Sequence, residues 1–145
     1  MLENGCEFTI NYKEEIISEK VMEITKNKGV PVVYDGVGKD TFDESIKSLS
    51  IRGLMVSFGQ SSGMVEKIDM HKTFNPKSLF YTRPSLMGYT LNREELIHCS
   101  DKLFEKMKNK DVKTNIYKKF KLEEALEAHK IIQSRKSSGS IILEP

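Results

Sequence analysis

Tryptophan is absent from this 145-residue sequence, and cysteine and proline are scarce, at two and four residues. Cys6 and Cys99 stand far apart, with no CxxC or Cys/His ligand spacing around either. That excludes a disulfide framework and the four converging ligands of a structural zinc site. It predicts two reduced thiols packed as small hydrophobes in a cytoplasmic protein, with no metal. No apolar run approaches the ~20 residues of a membrane span, and the opening MLENGCEF lacks the apolar core of a secretory signal. A strong charge of one sign is missing too. Lys and Arg total 23 against 21 Asp and Glu, a formal net charge of +2, without the basic excess of a dedicated nucleic-acid binder. The expected partners include neither membrane nor nucleic acid.

What is present is an ordinary globular balance, 38% hydrophobic and 30% charged, at a length that buries a core without staples. No repeat, low-complexity tract or linker interrupts it, so residues 1–145 read as one domain. Short apolar runs alternate with amphipathic stretches, which predicts an α/β fold. The first strand is expected at Phe8–Asn11, followed by a capping box at Asn11-x-x-Glu14. Ile17, Val21 and Ile24 share one face of a helix ending near Lys28-Gly29. The run VPVVYDGV from Val30 to Val37 suits a parallel strand covered on both faces.

A short helix over Asp40–Leu49 turns Phe42, Ile46 and Leu49 inward, and Arg52-Gly53 leads into a strand at Leu54–Phe58. The next strand, Leu79–Thr82, stops at Arg83-Pro84-Ser85, because proline cannot donate to a ladder. Asn92-x-x-Glu95 caps a helix with Leu96, Leu103, Phe104 and Met107 inward. A strand at Asn115–Phe120, a helix at Leu122–Ser134 and a strand at Ser140–Leu143 complete the chain.

Catalytic motifs are lacking. There is no GxSxG or HExxH; His71, His98 and His129 are scattered, and the paired glutamates fall in first helical turns, where they complement the helix dipole. Gly36-Val37-Gly38 is a lone GxG, short of the full GxGxxG dinucleotide fingerprint. Two strands nevertheless end in Gly-rich turns, after Val37 and Phe58. Open parallel sheets bind ligands beyond the carboxyl ends of their strands. Gly36 and Gly59 therefore read equally as ligand neighbours or as turn glycines.

The segments INYKEE, VVYDGVGKDTF, RGLMVSFGQSSG, LFYTRPSLMGYTLNREEL and AHKIIQSRKSSGSIIL occur in that order. With them the chain closely resembles the carboxyl-terminal part of the zinc-free NADPH:quinone oxidoreductases, the zeta-crystallin-like branch of the medium-chain dehydrogenases. The resemblance implies hydride transfer from NADPH to a quinone, with no residue acting as a covalent catalyst. It implies that Tyr12 lies near the 2′-phosphate of NADPH and that Arg135 reaches the same cofactor. Gly36 and Val37 match one cofactor-facing turn, and Phe58, Gly59, Gln60 and Ser61 the next, where relatives often carry Asn in place of Gln60. Arg83, Pro84, Ser85 and Leu86 match the segment bordering the nicotinamide.

Members of that family are more than twice this length. They begin with a GroES-like domain and then enter a Rossmann domain whose first strands carry the phosphate loop. The fold implied here is thus a partial Rossmann domain, a doubly wound parallel sheet lacking its first two strands, with a carboxyl-terminal helix and strand tail. Family dimers pair the last Rossmann strand across a two-fold axis, which implies a homodimer through Leu79–Thr82. Three origins fit: a split or truncated gene product active only with a complementing amino-terminal chain, a non-catalytic dimerisation or nucleotide-binding module, or a piece of a longer enzyme. Turnover by this chain alone is not expected.

Overall fold

A computed structural model describes residues 5–134 and 136–145, which fall into two units divided between Gly88 and Tyr89. In the first unit the elements run α1 (Ile17–Ile24), β1 (Val30–Asp35), α2 (Phe42–Ser48), β2 (Leu49–Ser57), α3 (Met70–Phe74) and β3 (Phe80–Thr82), after which α4 (Leu86–Tyr89) reaches the boundary. The three strands form one parallel sheet in the order β1-β2-β3. Parallel neighbours need crossovers, and α2 and α3 lie in the two crossover segments. This is the α/β architecture the alternation predicts.

Residues 8–11 form no strand. A run so short gains nothing from an extended backbone without a neighbour to complete its ladder, and Phe8 is left exposed. The capping partner also differs from the expected Glu14. Asn11 N–H donates to Glu15 Oε2 at 3.1 Å, and the Asn11 carbonyl accepts from both Glu14 and Glu15 N–H at 2.9 Å. The polar exchange closes a turn ahead of α1 rather than capping the helix itself, whose N-cap is Ile16.

Register explains the core. Val33 stands beside Met55 and Met55 beside Tyr81, so one row crosses the whole sheet. Phe42, Leu49, Met55 and Phe74 are the buried centre on that face, with Ile46 and Tyr81 packed against them. Tyr81 meets Phe74 and Phe42 edge-on at 5.6 and 6.4 Å between ring centroids, the favourable aromatic geometry. VPVVYD is not covered on both faces as its composition suggests. Tyr34 is 73% exposed and Val32 is exposed as well, because period-2 alternation turns them away from the Val33 face. β2 begins earlier than expected. Pro31 alone stands opposite residues 50–53, and Arg52 takes φ +59°. Arg52-Gly53 is therefore a bulge inside one strand and not a turn before it.

Helices α1 and α2 are tied by a carboxylate. Glu44 Oε2 accepts from Ser18 Oγ at 2.6 Å and Ser18 N–H at 3.1 Å, while Oε1 takes Lys47 Nζ at 2.7 Å. Lys47 and the Ser18 hydroxyl hold the Glu44 carboxyl well below its ordinary value, at about 2. A lowered carboxylate pKa contributes stability that is complete above the unfolded value and fades as pH falls toward the folded one. Unfolding free energy is accordingly expected to decline from about pH 5 toward pH 2. Glu44→Ala removes that part of the slope and costs about 2 kcal/mol at neutral pH, the Lys47 share being small because that ammonium is solvated. Urea unfolding of both proteins at several pH values checks this; parallel profiles would contradict it.

The second unit holds α5 (Arg93–Lys108), β4 (Ile116–Lys121), α6 (Ala125–Gln133) and β5 (Ser140–Glu144). β4 and β5 form a separate parallel pair, and Phe120 and Ala128 are buried. Asn92 caps α5 as expected, its side chain accepting from Glu95 N–H at 2.9 Å. The inward face predicted for α5 is not buried. Leu96, Leu103, Phe104 and Met107 are all exposed, since helical spacing of apolar residues identifies a face but supplies no layer to cover it.

Candidate functional site

Parallel strands deliver their following loops to one end of the sheet. Here those loops are residues 36–41, 58–63 and 83–85. The first is shaped by Asp35, the last residue of β1, which is buried. Its Oδ1 accepts from Val37 N–H at 2.8 Å and Gly38 N–H at 2.9 Å. Thr41 Oγ1 and Ser45 Oγ each donate to Oδ2 at 2.8 Å. Burial alone would raise this carboxyl. The donors from Gly38, Ser45, Thr41 and Val37 outweigh burial and hold it below the ordinary carboxylate value.

The second loop is built on the first. Phe58 and Gly59 N–H donate to the Asp35 carbonyl at 3.0 and 3.3 Å, and Ser61 N–H to the Gly36 carbonyl at 3.3 Å. The Val37 carbonyl accepts from Ser62 N–H and Ser62 Oγ, both at 2.8 Å. The approach is close enough to require glycine. A Cβ on Gly59 would lie 2.5 Å from the Gly36 carbonyl oxygen. Gly38, at φ +90°, would place one 2.7 Å from the Gly63 oxygen. The Phe58 ring lies against Gly36, where a Cβ would meet its Cζ at 2.9 Å, while the ring remains 59% exposed.

The third loop joins through side chains. Arg83 Nη2 donates to Gln60 Oε1 at 2.7 Å. The Gln60 amide oxygen thereby joins the second loop to the third. Pro84 and Ser85 continue that loop, the Ser85 carbonyl accepts from Gly88 N–H at 2.9 Å, and Leu86 opens α4.

The structure thus brings Gly36, Val37, Phe58, Gly59, Gln60, Ser61 and Arg83 together by direct contacts, with Pro84, Ser85 and Leu86 next in the chain. Tyr12 takes no part in the bonds that join the three loops. It lies exposed in the turn ahead of α1. Arg135 lies outside the described residues. Asp35, Thr41 and Ser45 were not singled out by the sequence. Their signal is a strand-ending Asp-Gly followed by small hydroxyls in the next helix start.

Cys6 and Cys99 are free but exposed rather than packed as small hydrophobes as expected. Cys6 precedes the first element, and Cys99 lies on α5, which buries no residue. No three His, Cys, Asp or Glu side chains converge among the described residues to hold a metal ion. Zinc has no donor set there. No helix of the described residues is long and apolar enough to cross a membrane.

A family described as zinc-binding dehydrogenase matches residues 4–143. Among curated relatives, quinone oxidoreductase 1 of Escherichia coli is 44% identical over 146 aligned residues, covering 99% of this chain and 45% of that protein. A 2-haloacrylate reductase of a Burkholderia species is 42% identical, covering 97% and 43%. The crystal structure of Escherichia coli quinone oxidoreductase complexed with NADPH superposes with a TM-score of 0.91 at 45% identity, over 99% of this chain and 45% of that one. The chain therefore spans a little under half the length of the relatives it matches.

Proposed function

We propose, on the premise that the chain belongs to the zinc-binding dehydrogenase family, that it forms the carboxyl-terminal, NADPH-binding part of an NADPH:quinone oxidoreductase. The observation that carries this reading is the junction of three loops at the carboxyl ends of β1, β2 and β3, where open parallel sheets bind ligands. Backbone contact between the Gly36 and Gly59 turns holds the first two loops together at that edge, with no side chain between the two glycines. NADPH, when bound, supplies the hydride, and the protein supplies orientation and electrostatics. Gly36, Val37 and Phe58–Ser61 would line the cofactor, Arg83–Leu86 would border its reacting end, and Tyr12 and Arg135 would serve the phosphate end. A phenol and a guanidinium fork are both competent phosphate donors.

Quinone is the substrate under this reading, and a complementing amino-terminal segment, in the same chain or another, completes the site. Two copies of the chain pair through the strand Leu79–Thr82, because β3 is an edge of its sheet and an unpaired edge is a template for pairing. Free Cys6 and Cys99 suit the cytoplasm.

The test is a fluorescence titration of NADPH with the 145-residue chain, its mass checked by sedimentation. Saturable binding is expected, weakened by Arg135→Ala, from a particle twice the 16.6 kDa chain mass. Quinone-dependent NADPH oxidation by the chain alone should stay at background and rise when the amino-terminal part of a relative is added. Absence of binding up to millimolar NADPH contradicts the cofactor assignment. Efficient turnover by the chain alone contradicts the need for an amino-terminal part.

A further inference from the structure

We propose that Asp35 is a positioning residue for the cofactor site: its carboxylate, without touching the ligand, fixes the shape of both Gly-rich turns at once. The proposal rests on the NADPH reading above and assigns a role to a residue outside the set that lines the cofactor.

Asp35 is only 5% exposed, so its side chain lies inside the protein at the point where β1 ends and the first turn begins. Its oxygens take two backbone amides from the first turn, Val37 and Gly38 N–H, and two hydroxyls from the following helix start, Thr41 and Ser45. The Val37 and Gly38 amides are thereby committed inward. The carbonyl side of the same turn then faces the second turn, and it is used there. Gly36 O and Val37 O receive Ser61 N–H, Ser62 N–H and Ser62 Oγ. The backbone carbonyl of Asp35 itself receives Phe58 and Gly59 N–H. One residue therefore anchors the first turn through its side chain, and the first turn anchors the second through its carbonyls.

Four donors converge on the two oxygens of the Asp35 side chain. An ionised carboxylate is acceptor-only, with room for about four donors. Without it, four buried or half-buried donors at one strand end would lose their partner together, and each orphan is costly. Rotation of the Gly36–Gly38 peptides would satisfy them, and Gly36 and Gly38 rotate easily. That rotation would also displace the carbonyls holding residues 61–62. The glycines that permit close approach also make the turn collapsible, and Asp35 removes that freedom.

The experiment compares the 145-residue chain with Asp35→Asn, Asp35→Ala and Thr41→Val, by amide hydrogen exchange and by NADPH titration at a temperature where circular dichroism shows each variant folded. Asp35→Asn keeps an acceptor for Val37 and Gly38 N–H, and the Thr41 and Ser45 hydroxyls turn to accept from its NH2 group. It should retain exchange protection at residues 37–38 and 58–62 and bind NADPH within about threefold of wild type. Asp35→Ala should lose protection at both turns while Met55–Ser57 keep theirs, and bind NADPH at least tenfold more weakly. Should Asp35→Ala not fold, Thr41→Val carries the same sign, with a several-fold weaker affinity and faster exchange at both turns. Unchanged exchange at residues 58–62 in the folded Ala or Val variants overturns the proposal whatever NADPH does. Affinity in Asp35→Ala equal to wild type overturns it while leaving the NADPH reading standing. Failure of the wild-type chain to bind NADPH overturns that reading, and the ligand role of Asp35 with it.

Discussion

Gly59→Ala should lower the unfolding midpoint and weaken NADPH binding at least tenfold. The Cβ it introduces would lie 2.5 Å from the Gly36 oxygen, 2.9 Å from Gly36 Cα and 3.0 Å from Gly36 C. All three are backbone atoms, so no side chain can swing aside, and relief requires the two turns to separate. Overpacking of this kind costs about 1–3 kcal/mol, sometimes more, and each 1.4 kcal/mol of distortion that falls on the bound state is about tenfold in affinity. Gly36→Ala should be milder, because its Cβ meets the outer end of the Phe58 ring, which is free to move toward solvent. Gly88→Ala is the control, since nothing lies within 4 Å of the Cβ it would add. Thermal melts and NADPH titrations of the three variants check the order. A Gly59→Ala protein that melts and binds like wild type would show that the turns are not stacked as described.

The largest stability effect belongs to Leu49. Its side chain is fully buried, at 0% exposure, in the cluster with Phe42, Met55 and Phe74. It stands where α2 passes directly into β2, so both elements lose their common contact when it is cut back. Its Cδ2 also fills the space over Gly53, where a Cβ would come within 3.0 Å. Leu49→Ala is therefore expected to cost about 2–5 kcal/mol of unfolding free energy, the range for a buried leucine whose cavity cannot collapse. Ile51→Ala, on the same strand but 72% exposed, should fall within about 0.5 kcal/mol of wild type. Urea denaturation of the pair decides it; equal losses would place the core elsewhere.

The fold was most legible where local and long-range signals agreed. Phe42, Ile46 and Leu49 have helical spacing and a single core to face, and all three pack as their periodicity implies. The run VPVVYD announces β1, but the strand stops at Asp35 rather than at the expected Val37, because the Val37 and Gly38 amides turn to the Asp35 carboxylate. The misses share a cause, which is that a pattern names a face without naming its neighbour. Phe8–Asn11 has strand composition but no adjacent strand. Tyr34 and Val32 lie on the side of β1 opposite the Val33 face. Leu96, Leu103 and Met107 repeat at helical spacing on a helix that buries no residue. For the site, motif resemblance pointed to the loop residues, and the sheet joins most of them by direct bonds. Asp35 escaped notice because its importance is a matter of convergence. Thr41 and Ser45 reach it only after α2 has formed.

The most direct measurement is a two-dimensional amide NMR titration of the chain with NADPH. The largest shifts are expected on residues 36–38, 58–62 and 83–86, with those of α5 and of the β4–β5 pair nearly unmoved. Shifts concentrated away from the three loops, or no shifts at saturating NADPH, would contradict the assignment of the cofactor to the carboxyl edge of the sheet.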